Sequence, residues 1–122
     1  MAEGERGWEN FDFAGRVRVF QYTSGSWSAL GTGITGEHID NFVGYSVALS
    51  SDGTILAEGE VGYSNYVGRV RVFQYTDGSW SSLGTGITGG STNDQAGWSV
   101  ALNANGTILA EGEYGYTIHA LS

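Results

Sequence analysis

Short runs of β-branched and aromatic residues recur about every ten residues along the chain, and each is bounded by Gly, Asn, Asp or Ser. That spacing predicts an all-β fold, and no stretch carries the i, i+3, i+4 apolar pattern of an amphipathic helix. Four strand positions are expected per unit: A over 46–50, B over 54–60, C over 69–75 and D over 79–83. Asp52-Gly53 and Asn105-Gly106 fall between A and B, and Ser24-Gly25 and Asp77-Gly78 between C and D. Such dipeptides accept the positive φ of tight hairpin turns. The B to C and D to A connections are longer and carry Tyr63, Tyr66, His38 and Phe42. One end of each sheet is therefore plain and the other decorated.

Position C alternates Arg69, Arg71, Phe73 and Tyr75 with Val70, Val72 and Gln74, while B alternates Leu56, Glu58 and Glu60 with Ile55, Ala57 and Gly59. Successive strand residues face opposite sides of a sheet, so a hairpin placing Glu60 opposite Arg69 also sets Glu58 against Arg71 and Leu56 against Phe73. The same register sets Glu5 opposite Arg16 and Glu3 opposite Arg18 near the N-terminus. Two readings compete: charges solvated on an edge, or a partly buried ladder of ion pairs. The ladder is preferred, because a sheet packed on both faces must pair its charges.

The pattern is written twice. GRVRVFQYTSGSWSALGTGITG, from Gly15, returns from Gly68 with changes only at Ser24/Asp77 and Ala29/Ser82, an offset of 53 residues. GYSVALSSDGTILAEGE, from Gly44, returns at the same offset from Gly97 as GWSVALNANGTILAEGE. A period of this size indicates a solenoid or propeller whose units stack to bury their faces, and two units are fewer than such folds need. The organisation expected is a redundant N-terminal strand and loop at 1–14, one repeat at 15–67 and a second at 68–122. From Gly15 the strand order runs C, D, A, B, C, D, A, B, so only the middle four form a complete blade. The C-terminal strands are expected to complete the blade of a neighbouring chain, head to tail. Glu111 and Glu113 lack an Arg-Val-Arg after them, and Arg16 and Arg18 of the next chain would supply it by displacing the N-terminal strand. The expected partner is the chain itself, as a cyclic trimer or tetramer of β-propeller blades.

Val43-Gly44-Tyr45-Ser46-Val47-Ala48 and Ala96-Gly97-Trp98-Ser99-Val100-Ala101, each followed by a DG or NG turn and Ile-Leu-Ala-Glu-Gly-Glu, resemble the FG-GAP repeat, the blade of the integrin alpha-subunit propeller. The resemblance covers nearly the whole chain. It implies four-stranded antiparallel blades, with A lining a central channel, D outermost, and the B to C and D to A loops sharing a ligand-binding face. Calcium-binding members carry D-x-D-x-D-G between A and B. Here Ser50-Ser51-Asp52-Gly53 offers one carboxylate and Asn103-Ala104-Asn105-Gly106 none, so no calcium is expected. The family's apolar G-A-P stretch is replaced by Glu-Gly-Glu.

Composition narrows the function classes. Thirteen acidic residues against five Arg give a net charge of −8, which leaves no cationic surface to replace phosphate counterions and argues against nucleic-acid binding. There is no apolar run long enough to span a bilayer and no apolar signal region in 1–6, so the expectation is a soluble chain without a membrane partner. With no Cys the redox compartment stays open. No cofactor is expected. An enzyme is disfavoured, since only His38 and His119 are available as bases and no nucleophile motif is present. Glu37-His38-Ile39-Asp40 could hold a metal in principle, but the second copy has Gly90-Ser91-Thr92-Asn93 there, and no metal is expected.

Divergence supplies the functional clue. Glu37–Val43 (EHIDNFV) and Gly90–Ala96 (GSTNDQA) share no residue at any aligned position, although the blocks around them are nearly identical. Binding functions sit on variable loops held by rigid scaffolds. The candidate ligand-binding set is Tyr63, Tyr66, Trp98, His38, Asp40, Phe42 and Asp94, with Trp8, Phe11, Phe13, Tyr45, Tyr114 and Tyr116 nearby, and a sugar or a peptide segment as the ligand. Drift of unconstrained loops, with aromatics packing between blades, is the competing reading.

Overall fold

In a computed structural model the described residues are 2–5 and 13–117, without the side chains of Glu3 and Glu5. Met1, Trp8, Phe11 and His119 lie outside them. In chain order the elements are β1 (Ala2–Glu5), β2 (Arg16–Thr23), β3 (Ser26–Ala29), β4 (Ile34–Thr35), β5 (Val43–Leu49), β6 (Ile55–Glu60), the helical turn α1 (Tyr63–Tyr66), β7 (Arg69–Thr76), β8 (Ser79–Ser82), β9 (Ile87–Thr88), β10 (Ala96–Leu102) and β11 (Leu109–Glu113). The architecture is all-β and antiparallel. One sheet orders β5, β6, β7, β8, with β9 added to β7; a second orders β1, β2, β3, with β4 added to β2; a third holds β10 and β11. In repeat positions these are A-B-C-D, B-C-D and A-B.

The β6–β7 register sets Glu60 opposite Arg69, Glu58 opposite Arg71, Ala57 opposite Val72 and Leu56 opposite Phe73. Across β1 and β2 it sets Glu5 opposite Arg16 and Glu3 opposite Arg18. The C to D turns are two-residue hairpins with φ of 53° and 88° at Ser24 and Gly25, and 52° and 87° at Asp77 and Gly78. This left-handed pair matches the twist of the flanking strands. At the A to B turns, Asp52 Oδ1 accepts from the Thr54 amide at 3.0 Å and from its hydroxyl at 2.7 Å. Asn105 Oδ1 accepts from Thr107 in the same way, at 3.2 and 2.6 Å. The lone carboxylate of the first turn is thus engaged in closing its own hairpin, and these bonds hold it below the usual carboxylate range.

The sequence pattern did not signal every element. Position A starts earlier than expected, at Val43, with an irregularity between Val43 and Ser46 where Gly44 has φ 84°. Ile34-Thr35 and Ile87-Thr88 add two-residue pairings at the start of position C. Tyr63–Tyr66 winds into a turn with left-handed Ser64, Asn65 and Tyr66, rather than a simple loop.

Consecutive sheets stack face to face. Leu56 of β6 packs with Phe73 against Val17, Val19 and Val43, with Ala2, Leu30, Ile34, Val47, Leu49 and Trp80 at the margin. The opposite face of β6 meets the β10–β11 hairpin: a Cβ on Gly59 would come within 2.0 Å of the Gly97 carbonyl oxygen. The same approach joins the first two sheets, where a Cβ on Gly4 would lie 1.8 Å from the Gly44 oxygen. Covered on both sides, β6 is buried along its whole length. At the outer edge, Trp80 Nε1 donates to the Leu30 carbonyl of the preceding sheet at 2.8 Å.

Candidate functional site

The divergent D to A connections and the B to C connections meet at the decorated end, and each pair walls a cleft. In the first copy His38, Ile39, Asp40 and Asn41 face Gly62, Tyr63, Ser64 and Asn65 across a cleft of about 490 Å³. In the second, Ser91, Thr92, Asn93 and Asp94 face Gly115, Tyr116 and Thr117 across about 350 Å³. Each wall residue of the second cleft stands 53 positions after one of the first.

The two clefts share a backbone and differ in side chains. Asp40 and Phe42 are left-handed, with φ 61° at both, and so are their counterparts Asn93 and Gln95, at 70° and 60°. The Gly62 amide donates to the Asn41 carbonyl at 3.2 Å, and the Gly115 amide to the Asp94 carbonyl at 3.0 Å. The glycine is required at this latch, because a Cβ on Gly62 would fall 1.7 Å from the Asp40 oxygen. Asp94 closes its loop by accepting from the amides of Gly90 and Ser91 at 3.1 and 2.9 Å. Asn41 replaces it in the first copy. It is 4 % exposed and its Nδ2 has no hydrogen-bond partner.

The charged ladder lies beneath the first cleft. Glu58 and Glu60 have no exposed surface. Arg69 donates to Glu60 Oε1 through Nε at 3.1 Å and Nη2 at 2.9 Å. Arg71 Nε contacts Glu58 Oε2 at 3.1 Å and also Glu60 Oε2, while Glu58 Oε1 accepts from the Gly44 amide at 3.1 Å. Burial first, and then the neighbouring Glu60, push the Glu58 carboxyl well above its ordinary value. Burial opposes ionisation of Glu60 too, but the hydrogen bond from Glu58 and the charges of Arg71 and Arg69 outweigh it and hold that group low. The two carboxyls are thus pushed in opposite directions, Glu58 toward its neutral form and Glu60 toward its charged one. Arg69 joins ladder to cleft: its guanidinium lies 3.9 Å from the centre of the Tyr63 ring and 3.7 Å from Glu37.

The same carboxylate pair recurs on β11, where no salt bridge to an arginine is made among the described residues. Glu111 Oε1 accepts from the Gly97 amide at 3.1 Å, as Glu58 does from Gly44. Glu113 is pushed up to about 7 by its hydrogen bond with Glu111, by partial burial, and by the charges of Glu111 and Asp94.

Of the candidate ligand-binding residues, His38, Asp40 and Tyr63 come together in the first cleft and Asp94 lies in the second. Phe42 packs between Phe13 and Tyr66, with ring centres 5.7 and 6.2 Å away. Trp98 stacks on Tyr114 at 4.5 Å and meets Tyr45 at 4.9 Å, and it lines neither cleft. Phe42, Tyr66, Trp98 and Tyr114 thus make aromatic contacts, while Tyr114 and Tyr116 keep most of their surface exposed. The walls add residues that sequence reasoning passed over: Asn41, Ser64 and Asn65 in one cleft, Asn93 and Thr117 in the other. The offset of 53 would have found Asn41 through Asp94. No protein-family model matches the chain, and neither does any curated protein.

Proposed function

We propose that the chain is a non-enzymatic binding module built from β-propeller blades, a rigid repeated frame that presents variable clefts at its decorated end. One observation carries this reading: the two segments that diverge completely between copies are the ones that wall the clefts, on a backbone that repeats down to its left-handed residues. Loops drifting without constraint would lose the latch and the left-handed positions together with their side chains. The walls offer carboxylate, carboxamide, imidazole and hydroxyl groups, with one tyrosine, Tyr63 or Tyr116, in each. Such a lining suits a hydroxyl-rich ligand held by hydrogen bonds, a short glycan, rather than an apolar peptide.

The test is a carbohydrate array probed with the intact chain. We expect retention of at least one glycan, and Asp40→Ala or Asn93→Ala should weaken it about tenfold, the equivalent of about 1.4 kcal/mol and of one or two lost hydrogen bonds. Trp98→Ala should leave affinity unchanged. An array that retains nothing would contradict the reading and leave a bare scaffold.

A further inference from the structure

We infer that a second copy of this chain is the partner of the β10–β11 hairpin, which exchanges with β1 and completes a four-stranded sheet on β2 and β3 of that copy. This does not depend on whether the clefts hold a ligand. It rests on the junctions between consecutive sheets, each of which is satisfied within the chain at least once and elsewhere has its halves left apart.

The outer junction is made by Trp80, which donates to the Leu30 carbonyl and sits over Gly31, where an added Cβ would meet the indole at 3.0 Å. Its counterpart Trp27 is 56 % exposed near the N-terminal end. The surface it would cover, Leu83 and Gly84, follows β8 of the β5–β8 sheet; Leu83 is exposed and a Cβ on Gly84 would meet nothing within 4 Å. At the inner turns Ile55 is 7 % exposed and packs on Gly106, whereas its counterpart Ile108 is 67 % exposed. The matching Gly53 again faces open space. At the strand centre Gly59 stacks on the Gly97 carbonyl, but among the described residues a Cβ on Gly112 would meet Ser99 alone.

One placement closes all of these together. Ala110–Glu113 repeats Ala2–Glu5 letter for letter, so β11 of one copy can take the register of β1 on β2 of the next, with Glu111 opposite Arg18 and Glu113 opposite Arg16. Strand β10 then supplies the missing position A. Gly112 lands on Gly44 where Gly4 had been, Ile108 reaches Gly53, and Trp27 covers Leu83 and Gly84 of the preceding copy. The pairs exchanged are chemically identical, so the loss of β1 is matched strand for strand, and the added A strand and the buried Trp27 and Ile108 are net gain. The contact is head to tail. A heterologous contact of this kind closes into a ring or runs on as a fibre, and two sheets per chain with four to eight blades per propeller favour three or four copies.

Sedimentation velocity on four full-length proteins tests the exchange. The unmodified chain should sediment as a closed oligomer, and Trp27→Ala, a change at an exposed side chain, should give a folded monomer of 12.9 kDa. The identical acidic pairs should then behave differently: Glu3→Arg with Glu5→Arg should leave the oligomer intact, whereas Glu111→Arg with Glu113→Arg should abolish it. Circular dichroism confirms that each variant is folded. An oligomer that survives Trp27→Ala or the C-terminal change, or is lost on the N-terminal one, overturns the exchange, as does a monomeric unmodified chain.

Discussion

Glu58 shows how one side chain ties local pattern to packing. It has no exposed surface, yet it stands two residues from a second carboxylate that is equally buried. Two bare charges there would be untenable, and the structure sets Arg71 against both groups while burial pushes Glu58 toward its neutral form. The resolution is incomplete, since Arg71 Nη2 is buried without a partner. Replacing Arg71 by Met should destabilise the chain by about 3–5 kcal/mol, because it strips the cation from a buried acid pair. Combining Arg71→Met with Glu58→Leu should recover part of that loss. Urea denaturation of both variants checks this; equal midpoints would mean that the pair contributes nothing. The pairing was legible in the sequence because strand side chains alternate with period two, so Glu-Gly-Glu and Arg-Val-Arg fit in one register. The orphaned amide of Asn41 was not legible, because it arises from a loop closure that no strand pattern encodes.

At the scale of elements, one tetrapeptide, Ala-Glu-Gly-Glu, appears three times in three environments. In β6 its glycine is pressed against the Gly97 carbonyl, in β1 against the Gly44 carbonyl, and in β11, among the described residues, against Ser99 alone. Gly59→Ala should therefore cost about 3 kcal/mol or more, since the clash is with backbone that cannot move aside. Gly112→Ala should cost the isolated chain well under 1 kcal/mol, because the nearest atom is a serine hydroxyl that can rotate. Thermal denaturation of the two changes made in the monomeric Trp27→Ala background would show the contrast, and equal losses there would contradict the stacking described. Strand positions A to D could be read from the sequence because each has an alternating run and a turn signal. The two-residue strands β4 and β9 could not, being too short to show a period, and neither could the left-handed Asp40, Phe42 and Gln95, which carry no glycine to mark them.

At the scale of the whole molecule, three sheets of unequal completeness account for the pattern of exposure. Only the central sheet contains all four positions, and it lies between the other two. Trp27 and Ile108, beside the incomplete sheets, are 56 % and 67 % exposed, and Leu83, after β8 of the central sheet, is 42 % exposed. The strand order, B, C, D in one incomplete sheet and A, B in the other, is what the sequence contributes to the proposed exchange. What it could not supply was the match of Trp27 to Leu83 and of Ile108 to Gly53, which depends on seeing the same contacts made once inside the chain. Native mass spectrometry of the unmodified protein at micromolar concentration tests this account most directly. We predict a closed species at three or four times 12.9 kDa with no open-ended series above it; a folded, β-rich species at 12.9 kDa would contradict it.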